Sequence, residues 1–133
     1  MTQEEIKKIV AYCKSKPEIK LAYIFGSQAN GETGPLSDYD FAFYVGMRGA
    51  GKNFDLRVKL INDLSDVIKI NSEKIDIVMI NTIKSPELLY NIIKEGKLIF
   101  EREPYRVLVE PKIMSQYFDF RQMLLKYNLT KSS

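Results

Sequence analysis

Apolar residues recur along much of the chain at spacings of three and four, the period of an amphipathic helix. This spacing predicts helices over residues 3–16, 53–68 and 85–95. The first of them starts with Thr2 followed three residues later by Glu5, the pattern of an amino-terminal capping box. Pro17 ends the first predicted helix, and Gly96 ends the third.

Between these helices lie short apolar runs of the length and composition of β-strands. The runs predict four strands, at residues 19–25, 38–45, 74–80 and 97–100. Because strands alternate with helices, we expect an α/β (α+β) domain.

The carboxyl-terminal part, residues 102–133, has a less regular pattern. It is irregular from Pro104 to Ser115, and aromatic and apolar residues between Tyr117 and Tyr127 then predict a helix. Two interpretations are open: the helix packs back on its own domain, or it docks another chain, as aromatic and basic segments at a terminus often do.

Length and composition limit the function classes. The chain has 133 residues, 45% of them hydrophobic and 28% charged, which suits one globular domain. Its longest apolar runs are far shorter than the roughly 20 residues of a membrane span, and we expect a cytoplasmic protein. The single cysteine, Cys13, lies on the apolar side of the first helix and is expected to be a core residue.

The absence of histidine restricts the chemistry further. It removes the commonest general base and a common transition-metal ligand, so that acid–base or metal chemistry must rely on carboxylates. Sites rich in carboxylate oxygen suit magnesium or manganese.

The net charge of +3 comes from the carboxyl-terminal part. Residues 1–101 contain 14 basic and 14 acidic residues, whereas residues 102–133 contain 6 and 3. This excess is too small to predict direct nucleic-acid binding, but it suits an acidic surface on a protein partner.

One constellation of residues points to phosphate and metal chemistry. Gly26-Ser27 closes the first apolar strand, and Asp38-x-Asp40 opens the second after a spacer of ten residues. Glycine would let a phosphate approach the backbone, serine offers a hydroxyl donor, and the period of two places both aspartates on one face. Asp76 lies inside a later apolar strand, where an acid is costly unless it is paired or binds metal. Each feature alone is ordinary turn or loop chemistry, and only the combination is specific.

These residues resemble the signature of the DNA polymerase β-like nucleotidyltransferase superfamily. More closely, the chain is similar to the minimal nucleotidyltransferase (MNT) family, antitoxins that are paired with HEPN-domain toxins. The similarity covers about residues 18–101 and, less distinctly, residues 117–120. Many members of the family have Arg-Gly where this chain has Asn30-Gly31.

The resemblance implies a nucleotidyltransferase fold, a small mixed sheet covered by helices, over residues 1–101. Residues 102–133 would be an extension that docks the partner. It further implies that Asp38 and Asp40 hold two Mg²⁺ ions, with Mn²⁺ as a substitute, and that Asp76 helps to hold one ion and accepts a proton. Gly26 and Ser27 would cradle the phosphates of ATP.

The implied reaction is transfer of AMP to a tyrosine hydroxyl of a HEPN toxin, with release of pyrophosphate. No membrane partner is expected. Two alternatives are open: a non-catalytic antitoxin that occludes the toxin, which Asn30 favours, and a small-molecule nucleotidyltransferase.

A second phosphate motif is incomplete. Residues 46–53 almost match the P-loop pattern G-x-x-x-x-G-K-[ST], but Asn53 occupies the position of the hydroxyl residue that would bind magnesium. We interpret this segment as a strand-to-helix connection in which Asn53 caps the next helix.

Substitution of Lys52 tests that interpretation. In a P-loop the lysine contacts the triphosphate directly, so its loss would abolish binding. We expect Lys52→Ala to change the affinity for Mg²⁺ and ATP only slightly in a calorimetric titration. The double variant Asp38→Ala/Asp40→Ala should lose binding altogether. An equally complete loss in the lysine variant would establish residues 46–53 as the phosphate site.

Overall fold

A mixed four-stranded sheet carries helices on both of its faces in a computed structural model of the chain, which describes residues 1–26, 38–46 and 50–131. The elements follow one another as α1 (Gln3–Ser15), β1 (Ile19–Phe25), β2 (Tyr39–Val45), α2 (Ala50–Ile68), β3 (Ile75–Met79), α3 (Pro86–Glu95), β4 (Lys97–Glu101) and α4 (Tyr105–Lys131). Short 3₁₀ turns at Ser72–Lys74 and Ile80–Thr82 flank β3.

The strands lie in the order β3-β2-β1-β4. β1 pairs antiparallel with β2 and with β4, whereas β2 and β3 are parallel. Parallel neighbours need a long crossover, and α2 provides it. The predicted mixed sheet is therefore confirmed, and β3 is an edge strand.

Both faces of the sheet are packed. Phe41 and Phe43 of β2 belong to a core with the buried residues of α1 and α2, among them Cys13, which confirms its predicted place in the core. On the opposite face, Tyr23 and Ala42 belong to a second core with buried residues of α3 and α4. Alternation along the strands sends successive side chains to the two faces.

The termini of the helices largely follow their predicted signals. The Thr2 side chain accepts a hydrogen bond from the backbone of Glu5, and the Glu5 side chain accepts one from the backbone of Thr2, which confirms the capping box. Ser85 caps α3, with Pro86 as its first residue. The prediction that Asn53 caps a helix is wrong: α2 begins at Ala50, and Asn53 lies within it as a buried residue.

The predicted irregular stretch between Pro104 and Ser115 is also wrong, because α4 runs through it. Pro111 lies inside this helix, where proline removes a backbone donor and usually interrupts a helical pattern. Packing overrides that local preference, since Val109 and Ile113 are buried against the sheet. The Tyr117 ring also stacks on Tyr90 of α3, with 3.8 Å between the ring centroids.

A hydrogen bond between side chains holds α4 against the sheet. The buried Tyr23 hydroxyl donates to Glu110 Oε2 at 2.6 Å, and Arg106 donates from Nε to Glu110 Oε1 at 3.2 Å. Burial and the bond to Glu110 raise the pKa of Tyr23, so the hydroxyl keeps the proton that it donates. No helix in the described part of the chain is long and apolar enough to cross a lipid bilayer.

Removal of the Tyr23 hydroxyl should loosen α4. We expect Tyr23→Phe to lower the free energy of unfolding by about 1.5–3 kcal/mol, the usual contribution of a hydrogen bond to a charged group. Chemical denaturation measures the change. Tyr44→Phe is the control: Tyr44 is half-buried in β2, and its ring packs against Tyr105. Equal losses in both variants would contradict a specific contribution of the Tyr23–Glu110 bond.

Candidate functional site

Two of the predicted aspartates face each other across neighbouring strands. In the parallel pair of β2 and β3, Asp40 and Asp76 are direct register partners. Asp38 lies immediately before β2 and is exposed. The three acids predicted from the sequence therefore meet at the amino-terminal ends of β2 and β3.

The pleat places Asp40 and Asp76 on the sheet face that carries α3 and α4. Asp40 shares its face with Ala42, which belongs to the core beneath those helices. Asp76 likewise alternates with Ile75 and Ile77, both buried on the other face. The carboxylates thus lie on the α3 and α4 face, at an end of the strands where Asp76 stays exposed.

Gly26 brings the end of β1 directly against Asp40. β1 is antiparallel to β2, and Phe25 is the register partner of Asp40. Gly26 has a φ of +70°, and a Cβ built on it would lie 2.6 Å from Asp40 Oδ2. Only glycine fits this left-handed conformation and this close approach without displacing the carboxylate. Ser27 and Asn30 lie outside the described residues.

Burial and the negative charges around Asp40 raise the pKa of its carboxyl group. Burial is the largest cause that raises the pKa of Asp40, and the charges of Asp76 and Asp38 raise it further. Asp76 and Asp38 therefore each lie close enough to Asp40 to interact with it electrostatically. A bound cation would relieve this repulsion.

The donor set fits a hard divalent cation. It consists of carboxylate oxygens, and the chain has no histidine to favour a softer metal. Among the described residues, no three histidine, cysteine or acidic side chains are grouped so that they could hold a metal ion. Asp40 and Asp76 are thus adjacent in the sheet, but the three acidic side chains are not arranged as a ligand group for a metal ion.

Arg57 of α2 is a further residue at the site. Its Nη2 donates to Asp76 Oδ1 at 3.2 Å, and its Nε donates to the backbone oxygen of Ile77 at 2.6 Å. Nothing in the sequence pattern singles out Arg57, because an arginine on an amphipathic helix usually serves as a solvated residue. Only the crossover of α2 beside β3 brings it to Asp76.

Comparison of the sequence with known families identifies the fold family. The sequence profile described as polymerase beta, nucleotidyltransferase matches residues 7–105. The chain belongs to the polymerase β nucleotidyltransferase family. The matched range includes the segment from Gly26 to Asp40 as well as Asp76, and the predicted nucleotidyltransferase fold is confirmed. No curated protein matches this family member in sequence.

Solved structures share the same fold over nearly the whole chain. One is a chain of a toxin–antitoxin with AMP-PNP, with a TM-score of 0.71 and 22% identity over 93% of this chain and 98% of that one. Another comes from the toxin–antitoxin MntA-HepT, with a TM-score of 0.67 and 20% identity over 96% and 99%. A third comes from a tri-AMPylated Shewanella oneidensis HEPN toxin in complex with MNT antitoxin, with a TM-score of 0.68 and 21% identity over 97% and 99%. At these identities, the likeness establishes a shared nucleotidyltransferase fold.

The close approach at Gly26 is directly testable. We expect Gly26→Ala to lower the free energy of unfolding by about 1–2 kcal/mol, the cost of a left-handed residue with a side chain. It should also weaken Mg²⁺–ATP binding, because the added methyl group displaces the Asp40 carboxylate. Denaturation and calorimetric titration measure the two effects.

Gly46→Ala is the matched control for this substitution. Among the residues that the structure describes, a Cβ at Gly46 would meet only Lys20 Cε, at an ordinary 3.8 Å. We therefore expect little change in stability or binding. Unaltered nucleotide binding by Gly26→Ala would show that the Gly26–Asp40 contact has no part in the site.

Proposed function

We propose that this chain is the antitoxin of a HEPN toxin and inactivates it by transferring AMP from ATP to a tyrosine hydroxyl. The observation that carries the proposal is the pairing of Asp40 with Asp76 beside Gly26 in a nucleotidyltransferase fold. The structural neighbours support the choice of partner and reaction, because they include a complex of an AMPylated HEPN toxin with an MNT antitoxin.

The proposed reaction is an in-line displacement at the α-phosphate. The tyrosine oxygen forms a bond to the α-phosphorus, the bond between that phosphorus and the oxygen bridging to the β-phosphate breaks, and pyrophosphate leaves. The hydroxyl proton passes to the carboxylate of Asp76, a role that suits an exposed acid next to the cation-binding pair. The products are AMP-tyrosine and pyrophosphate, with no other reactant needed.

Asp38 and Asp40 would hold two divalent ions, Mg²⁺ or Mn²⁺, and Asp76 would share one of them. Such ions neutralise the charge of the triphosphate and activate the reacting oxygens. Gly26 leaves room beside Asp40 for phosphate oxygens, since it has no side chain. The hydroxyl of Ser27 would donate to the outer phosphates, a role carried over from the family motif.

A protein acceptor suits this site better than a small molecule. The Asp76 side chain is 57% exposed, and Asp38 is exposed as well. Sites for small ligands usually enclose most of the ligand in a cavity of about 300–1,000 Å³. A protein partner would cover an open site, exclude water and deliver the hydroxyl in position.

We propose that residues 102–133 dock this partner. α4 carries most of the large apolar side chains that the described residues expose to solvent: Val107, Leu108, Met114, Phe118, Met123, Leu125 and Tyr127. An apolar surface of this kind on one helix is typical of a protein interface. The basic excess of the segment would favour an acidic partner surface.

Intact-mass spectrometry of the toxin tests the reaction. A HEPN-domain toxin is incubated with ATP, Mg²⁺ and this chain, and we expect its mass to rise by whole AMP units. The double variant Asp38→Asn/Asp40→Asn should abolish the gain. Asp55→Asn/Asp66→Asn is the matched control, since it neutralises two exposed acids of α2 and should leave the gain intact.

The same experiment separates the proposal from its rival. Asn30, in place of the arginine common in the family, favours an antitoxin that acts by occlusion. If the chain inhibits the toxin while the mass of the toxin stays constant, occlusion is correct and the transferase proposal is wrong.

A further inference from the structure

Arg57 reaches the candidate site around the edge of the sheet. Its neighbour Leu56 and Leu60, one turn further along α2, are buried in the core that α2 shares with the sheet. Their packing fixes the helix beside the edge strand β3, with Arg57 at its border. The arginine therefore approaches Asp76 from the sheet face opposite to the one on which the carboxylates lie.

The guanidinium makes two contacts of different kinds. Nε donates to the backbone oxygen of Ile77 at 2.6 Å, and Nη2 donates to Asp76 Oδ1 at 3.2 Å. Because the guanidinium is planar and rigid, the bond to the backbone fixes the plane in which the second donor points. Asp76 Oδ1 is thereby held relative to the backbone of its own strand.

The ion pair with Asp76 by itself adds little stability. The side chains of Arg57 and Asp76 are 37% and 57% exposed, and ion pairs with such exposure stabilise a fold only weakly. The bond does restrict a carboxylate that otherwise rotates on an exposed strand edge. Arg57 binds Oδ1 of Asp76, so the proton would be accepted by the other carboxylate oxygen, Oδ2.

We infer that Arg57 is a positioning residue, which holds the carboxylate of Asp76 in the orientation that proton transfer requires. This inference rests on the proposed function, because it assigns Arg57 a role through Asp76 in the same reaction. The positioning role requires two donors held in one plane, as in the guanidinium of arginine, and not only a positive charge. Lysine at this position keeps the charge but has no planar pair of donors.

Steady-state kinetics of AMP transfer test the role. We expect Arg57→Met and Arg57→Lys each to lower kcat by about 10–100-fold, the range typical of residues that orient a functional group. The KM for ATP should stay close to its original value. The Tm of Arg57→Met should fall by a few degrees, because the bond to the Ile77 oxygen is lost, but the variant should remain folded at the assay temperature. Lys59→Met is the control, because Lys59 is exposed two residues along α2, and residues so spaced do not share a helix face.

A double-mutant cycle with Asp76→Asn separates positioning from a direct role. If Arg57 acts through Asp76, Arg57→Met should cause little further loss of kcat in the Asp76→Asn background. The same fold-loss in both backgrounds would overturn the inference, since Arg57 would then act independently of Asp76. A fall in Tm with unchanged kcat would assign Arg57 a structural role only.

The contact between Arg57 and Asp76 can also be tested by NMR, without measuring catalysis. In protein labelled with ¹³C-aspartate, the side-chain carboxyl resonance of Asp76 is assigned by its loss in Asp76→Asn. We expect Arg57→Met and Arg57→Lys to shift this resonance and Lys59→Met to leave it in place. An unmoved resonance in both arginine variants would overturn the inference, and Arg57→Lys serves where the methionine variant does not fold.

The two proposals fail in different ways. Absence of AMP transfer by the unaltered chain would overturn the proposed function and, with it, the catalytic role of Arg57. If the unaltered chain transfers AMP and Arg57→Met does so at the same rate, the role of Arg57 is wrong while the proposed function stands.

Discussion

The candidate site depends on the parallel register of β2 and β3, in which Asp40 lies opposite Asp76. A slip of one residue would send one carboxylate to the other face of the sheet, because side chains alternate strictly along a strand. Burial prevents such a slip. Phe41 and Phe43 of β2 and Ile77 of β3 are buried in the same core, and a slip would exchange apolar for charged side chains there.

α2 links this register to the chemistry. As the crossover between two parallel strands, it has to lie against the sheet, and its buried leucines hold it there. The same helix presents Arg57 to Asp76 and to the backbone of the edge strand. The helix α2 thus sets the position of β3 and contacts the acid that β3 carries.

The opposite face of the sheet is covered in part by α4, which the hydrogen bond between Tyr23 and Glu110 holds against β1.

The sequence predicted those parts of the molecule that rest on local chemistry. The capping box at Thr2, the strand that ends at Phe25 and the alternation that includes Asp40 are short-range patterns, and the fold agrees with each of them. The sequence singled out Asp76 as an acid within an apolar strand, but its side chain is 57% exposed in the structure, so burial is not what demands a partner. Its adjacency to Asp40 was an expectation of the family resemblance, and the register of β2 and β3 agrees with it. The family match covers the range from Gly26 to Asp76 in which these residues lie.

The parts that the sequence did not predict depend on tertiary contacts. Pro111 marks an interruption by local rules, yet contacts with the sheet carry α4 through it. Asn53 has the chemistry of a cap, but α2 starts one turn earlier and buries it. The contact between Arg57 and Asp76 spans 19 residues and depends on where α2 crosses the sheet edge, which no spacing encodes.

A crystal structure with Mn²⁺ and a non-hydrolysable ATP analogue tests the central claim most directly, since manganese can be located by its anomalous scattering. The account predicts manganese on the carboxylates of Asp38 and Asp40, with the triphosphate passing beside Gly26. Manganese and nucleotide bound at any other place on the chain would contradict it.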